Sequence, residues 1–272
     1  MLLRETGFTF AGLHSYFDMG LDYAEKNSGH PLTPRIRRNG YQIAGTSGTI
    51  LLPGETRDTL NFEGTLYPAA EPRSQAEAQA QLRRVAEWLT QGRRSLIFDY
   101  EPQRYYLAEV NRETEWTLKN WFGGELSVRF EAQPYAYNVF THTASKETGD
   151  TTAELTLRVE TGWPAPLMLQ VTNRGTSDIK RIQVTRTGDS GPGIAFGGDG
   201  FAVHAEETLQ VSMEAPASAE IQTASGFVNA LPCATAFGPL NLQPGNNSLT
   251  VHLTYGVGIG KAAITASARG RY

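Results

Sequence analysis

At 272 residues the chain exceeds a typical single domain and is long enough for two cores of roughly 130 residues each. Hydrophobic residues make up 40% and charged residues 19%, a globular balance that excludes a disordered chain. The net charge of −4 divides evenly, −2 in 1–140 and −2 in 141–272. Neither half is basic enough to neutralise a run of phosphates, which excludes a tight nucleic-acid binder. The single cysteine, Cys233, cannot close an intramolecular disulfide, so stability must come from packing or assembly. Thr6-Gly7-Phe8-Thr9 is too polar for a signal peptide, and no run of 18 apolar residues occurs. These features predict a soluble protein without membrane insertion.

In chain order, residues 1–70 read as short strands punctuated by glycine. Phe8 and Phe10 alternate with Thr9, and Gly12 and Gly20 bracket an aromatic-containing turn. Tyr41, Ile43 and Ile50-Leu51-Leu52 flank Gly45-Thr-Ser-Gly48 as a hairpin that Pro53-Gly54 should close. Leu60, Phe62, Gly64 and Leu66 then repeat with period two. A helix is predicted over 74–91. Ser74 and Glu77 form a capping box worth about 1 kcal/mol over alanine. Leu82, Val85, Ala86 and Leu89 follow at i, i+3, i+4 and i+7, and Gly92 stops the helix. Arg83, Arg84, Arg93 and Arg94 are expected near its negative end.

A hairpin should follow, Ser95–Tyr100 and Arg104–Val110 joined at Glu101-Pro102-Gln103. Another turns around Gly123-Gly124 into a strand that places Leu126, Val128, Phe130 and Ala132 on one face and ends at Pro134. Thr141–Thr152 reads as a polar connector, which puts a domain boundary near 140. Beyond it, strand-like runs occur at Ala153–Val159, Leu167–Val171, Ile179–Val184, Thr208–Met213, Glu220–Thr223, Ser248–Leu253 and Ala262–Ser267. Such spacing predicts a β-sandwich or jelly-roll. The glycine-rich stretch 188–200 is expected to be loop, because it lacks the phosphate-binding order and no helical pattern follows it.

Catalytic grammar is sparse. Asp99 and Glu101 share a strand face, with no histidine nearby in sequence, and read as a solvated strand end. His14, His30, His142, His204 and His252 lack metal-ligand spacing, so no metal or cofactor is expected. Cys233 in Leu231-Pro-Cys-Ala reads as a small apolar residue. Trp163, set between Gly162 and Pro164, is expected to cap a core, with stacking on a sugar as the alternative. No enzymatic activity is predicted.

Five N-terminal features follow in order: Phe8–Gly12, Ser15–Leu21, Tyr41–Gly48, Trp88-Leu89 and Leu96–Tyr106. This order resembles the distal tail protein (Dit) family of long-tailed phages. Asn173-Arg-Gly175 and Leu242–Asn247 extend the resemblance more weakly. Ala44 departs from it, where proline often stands, as does Thr46-Ser47 in place of a more charged pair. The resemblance implies a mainly β protein of two domains. The first, 1–140, would be a sandwich- or barrel-like ring domain with one helix and hairpins, and the second, 141–272, a galectin-like β-sandwich.

It further implies a hexameric ring at the phage tail tip, synthesised in the host cytoplasm and built into the virion. The ring would join the tail tube protein to the tip or hub protein and mount receptor-binding or peripheral baseplate proteins, while DNA passes through unbound. Such a ring needs two different faces on each subunit. Candidate interface residues are Tyr41, Ile43, Ile50, Leu51, Leu82, Val85, Leu89, Tyr105 and Tyr106, and Trp163 is the candidate sugar contact. The alternatives from other classes are a stand-alone carbohydrate-binding module and a glycoside hydrolase using Asp99 and Glu101.

Overall fold

The computed structural model describes residues 7–25, 34–41, 50–111, 116–118, 124–191, 193–198, 200–214 and 216–272. The chain forms two compact units, Met1–Tyr137 and Asn138–Tyr272. Both are built mainly of β-strands.

The first unit contains β1 (Phe8–Phe10), β2 (Leu13–His14), β3 (Leu21–Glu25), β4 (Ile36–Tyr41), β5 (Ile50–Arg57), β6 (Leu60–Pro68) and α1 (Gln75–Leu89). β7 (Arg94–Phe98), β8 (Arg104–Val110), β9 (Trp116–Leu118) and the start of β10 (Gly124–Thr148) complete it. Its sheet runs β2-β1-β7-β8-β10-β6-β3, with β9 also on β10. The period-two pattern is realised in the β6–β10 ladder. Phe62 faces Phe130 and Leu66 faces Leu126, and all four side chains are buried. Gly64 opposes Val128, and a Cβ on Gly64 would run into the Tyr23 ring, so the missing side chain makes room for an aromatic one. Two strands separate β1 from β10, which in a flat sheet is more than 10 Å. Phe8 nevertheless lies 5.2 Å from Phe130 and 5.0 Å from Tyr23, ring centre to ring centre. The sheet therefore curls around an aromatic core.

Helix α1 lies where its cap predicts. The Ser74 hydroxyl accepts the Glu77 amide at 3.2 Å. The return arm differs from a capping box, because Glu77 accepts the amide of Arg73 at 2.8 Å. The buried positions are Ala78, Val85, Trp88 and Leu89, whereas Leu82 is half-buried and Ala86 exposed. The last turn holds no basic residue, since Arg83 and Arg84 sit mid-helix and Arg93 pairs with Glu109 at 2.9 Å. Instead, the Thr90 hydroxyl donates to the Ala86 carbonyl at 2.8 Å, and Gly92 takes the left-handed conformation that ends the helix. Trp88 anchors α1. Its ring stacks on Phe8 at 5.5 Å, and its indole N–H donates to the Phe10 carbonyl at 2.8 Å.

Three expected breaks are absent. Pro53-Gly54 lies inside β5, where the register with β4 shifts between Arg38 and Gly40, so an irregularity absorbs the missing donor. Pro134 does not end β10. It falls beyond the last β6 pair, Ala132 with Leu60, where that ladder asks for no N–H. The polar connector after Thr141 is strand as far as Thr148. Its Thr, Ser and Glu side chains are the exposed alternates of β10, while Ala144 packs on the second core and Thr148 is buried.

The second unit holds the end of β10, then β11 (Thr152–Val159), β12 (Ala165–Asn173), β13 (Ile179–Arg186), β14 (Ile194–Phe196), β15 (Thr208–Ser212), β16 (Ser218–Thr223) and β17 (Gly226–Asn229). A 3₁₀ turn at Leu231–Cys233 leads to β18 (Ala234–Phe237), β19 (Asn241–Leu242), β20 (Gly245–Tyr255) and β21 (Ala262–Arg271). One sheet runs β17-β16-β15-β12-β21-β10 and the other β11-β20-β13-β14-β18. The inward alternates of both sheets enclose one core. This is a β-sandwich. All seven expected strands are present, and β14 falls inside the stretch expected to be loop.

The two weaker motifs are asparagine-pinned turns. Buried Asn173 donates to the Ser177 and Val203 carbonyls at 2.8 Å each and accepts the Gly175 amide at 3.0 Å. Asn247 likewise accepts from the Gln243 amide and donates to its carbonyl, both at 2.8 Å.

Two stability outcomes follow from these anchors. Trp88→Ala should cost about 3–5 kcal/mol, read as an earlier urea transition of the first unit. Asn173→Ala removes the partners of the Ser177 carbonyl and the Gly175 amide, while the Val203 carbonyl keeps the Ile179 amide, and should cost about 2 kcal/mol, read as an earlier transition of the second.

Candidate assembly interface

Strands β4 and β5 pair antiparallel, with Tyr41 opposite Ile50 and Gly40 opposite Leu51. Among the described residues neither strand pairs with a third. A two-stranded ribbon is marginal in water by itself, so this one is suited to completion by another surface. Ile43 lies outside the described residues. Arg37 pairs with Asp58 at 2.7 Å at the base of the ribbon.

The other candidates divide by burial. Val85, Leu89 and Tyr106 are buried within the first unit and serve its core. Leu82 and Tyr105 are half-buried, and the Tyr105 ring stacks on Tyr137 at 5.4 Å. Sequence reasoning missed Phe17, which is 60% exposed. It sits on a turn that His14 organises. The His14 Nδ1 accepts the backbone amides of Tyr16 and Phe17 at 3.0 and 3.2 Å. An acceptor Nδ1 carries no proton, so Nε2 bears the hydrogen and donates to Asp99 at 3.1 Å. Asp18 accepts the His14 amide at 2.7 Å. Beside this turn an open groove of ≈ 520 Å³ runs between Phe17, the Ala69–Pro72 connection and the Gln81 side of α1. Gln81 ties the helix to the turn by donating to the Met19 carbonyl at 2.9 Å.

Asp99 is therefore not a solvated strand end. A histidine 85 residues away meets it, and both side chains are largely covered. Glu101 belongs to a separate network, accepting Arg104 at 2.8 Å and the Tyr106 hydroxyl at 3.1 Å. Burial first, and then the Glu101 charge, push the Tyr106 phenol far above its ordinary value. The two carboxylates thus act as structural clasps in different places.

In the second unit Trp163 is 41% exposed and does not cap the core; its amide donates to the Arg271 carbonyl at 3.0 Å. Trp163 forms an isolated bridge to Arg271 at the end of β21. Cys233 is partly buried against the core. His204 pairs with Asp178 at 2.9 Å, and His252 with Thr152 at 3.1 Å. Among the described residues no group of three or more His, Cys, Asp or Glu could hold a metal ion, and no helix is long and apolar enough to cross a membrane.

No family description matches the chain, and no curated protein is significantly similar to it in sequence. Among solved structures, the SPP1 Dit protein matches over 99% of this chain and 100% of its own, with a TM-score of 0.67 at 12% identity. Its crystal structure is described as a paradigm of the hub adsorption apparatus in phages infecting Gram-positive bacteria. The chain has the fold of a Dit protein. The likeness spans both units.

The raised Tyr106 phenol has a defined pH signature. Its proton is held more tightly in the folded state, so its stabilisation is complete below the unfolded value of 10.0 and declines as pH rises through and beyond it. Tyr106→Phe should flatten that alkaline decline, measured as unfolding midpoints compared across pH 9 to about 12.

Proposed function

We propose that this chain is a structural component of a phage tail tip, with six copies closing a ring through their first units. The full-length match to a Dit fold carries this reading, because it accounts for the helix-bearing unit as well as the sandwich. In this reading the ring joins the tail tube to the tip or baseplate, and the second units mount host-adhesion proteins. The candidate surfaces supply the two unlike faces that a closed heterologous ring needs. One is the β4–β5 ribbon, which has no third strand among the described residues, and the other is the groove lined by Phe17 and α1. The acidic balance suits a ring through which DNA passes without being held. The separate engagement of Asp99 and Glu101 favours a non-enzymatic role over a glycoside hydrolase.

Leu51→Asp on the ribbon and Phe17→Asp on the groove should each convert the assembly to monomer, read as solution mass by light scattering. If both variants keep the mass of the parent assembly, the ring uses other faces.

A further inference from the structure

The two outer faces of the sandwich differ in chemistry. On the β11-β20-β13 face, Glu154, Arg158, Arg181 and His252 stand among the outward residues, as expected of a solvated sheet. Across β12, β15, β16, β17 and the adjoining part of β21 the opposite face presents three cross-strand rows, and its charged groups, Arg269 and the Lys261–Glu147 pair at 3.2 Å, lie towards β10. Thr265, Gln170, Gln210, Glu220 and Asn229 stand side by side in the central row. Ala263, Thr172, Thr208, Gln222 and Phe227 form the second, and Ser267, Met168, Ser212 and Ser218 the third. Glu220 is the one charged side chain in these three rows. Everything else is amide, hydroxyl or apolar.

The face is also shaped. One hollow of ≈ 180 Å³ lies along Met168, Gln170, Gln210 and Ser218. A second, of ≈ 370 Å³, lies along Thr172, Thr208, Gln222 and Thr223. The Gln210 amide donates to the Gln222 carbonyl oxygen at 3.0 Å, and the Thr172 and Thr208 hydroxyls meet at 2.9 Å. These contacts hold donors and acceptors in a fixed array across the strands. At the edge of the second row stands Phe227, 61% exposed.

From this geometry we propose that the outer face of β12, β15, β16 and β17 binds a neutral oligosaccharide. Planar amides and hydroxyls present paired donors and acceptors, which match the vicinal hydroxyls of a sugar. An exposed aromatic ring offers a flat apolar surface to the C–H face of a pyranose. Two separate hollows lie along β12, β15 and β16, so the ligand is a chain of sugars that occupies both and not one monosaccharide. Charge decides the class. The rim contributes Glu206 and Glu207 beside Glu220, and its Arg174 is already engaged by Glu206 at 2.7 Å. That balance opposes a phosphorylated or carboxylated polymer. The site is distinct from Trp163, which lies outside all three rows, and it does not depend on ring formation.

The test is to apply the full chain to an array of immobilised glycans. The array should carry neutral hexose and N-acetylhexosamine oligomers, sialylated and sulfated glycans, and teichoic acid. Retention on neutral oligomers and not on anionic ones is expected. Phe227→Ala and Gln210→Ala should each weaken that retention about tenfold or more, while Trp163→Ala leaves it unchanged. Phe227 is mostly exposed, so its variant should keep the parental melting temperature, which separates lost binding from lost fold. Solution mass recorded on the same samples keeps this result apart from the ring assignment. No retention on any neutral glycan, preference for the anionic ones, or retention that survives both substitutions would overturn the proposal. A face occupied instead by a second copy or another protein would give the first of these results.

Discussion

The first unit depends on the contact between one indole ring and two residues of the opening strand. Trp88 is 1% exposed, stacks on Phe8 and donates to the Phe10 carbonyl. Through these residues the helix, β1 and, by way of Phe8 against Phe130, β10 share one aromatic core. No disulfide supports this arrangement, since the chain has one cysteine. The burden falls on ring packing and on the buried hydrogen bond from the indole to the backbone of β1. The second unit solves the same problem differently, with an aliphatic sandwich core and asparagines that satisfy the backbone of its turns.

Rigid cores leave the distinctive surface features to turns and edges. His14 shows how a local sequence shapes a surface turn. Its Nδ1 caps the turn that displays Phe17, and its Nε2–H reaches the strand end at Asp99. The ribbon β4–β5 shows the opposite strategy, a pair of strands with no third among the described residues. Together they give the first unit one surface organised from within and one that gains by docking, which suits repeated contact between copies.

Much of this was legible in the sequence because it is local. Ser74 and Glu77 mark the helix start, and the alternation of Leu60, Phe62 and Leu66 marks a half-buried strand. What failed was tertiary. Helical spacing pointed to Leu82 and Ala86, but the sheet beneath receives Trp88. Proline is a breaker only where a ladder needs its N–H, and at Pro134, beyond the last β6 pair, that ladder needs none. Threonine-rich 141–148 looked like a linker because an exposed strand and a polar loop share a composition. The short strands β14, β17, β18 and β19 have two to four residues each, too few to show a period, and exist because longer neighbours offer them partners. The His14–Asp99 pair joins residues far apart in the chain and carries no sequence signal.

The central claim is that the first unit is built to close a ring. Native mass spectrometry of the purified chain, with negative-stain images of the same sample, tests it most directly. The account predicts a species of six times 29.8 kDa whose class averages show six-fold symmetry and a central hole. A monomer across the accessible concentration range, with no ring in the images, would contradict it.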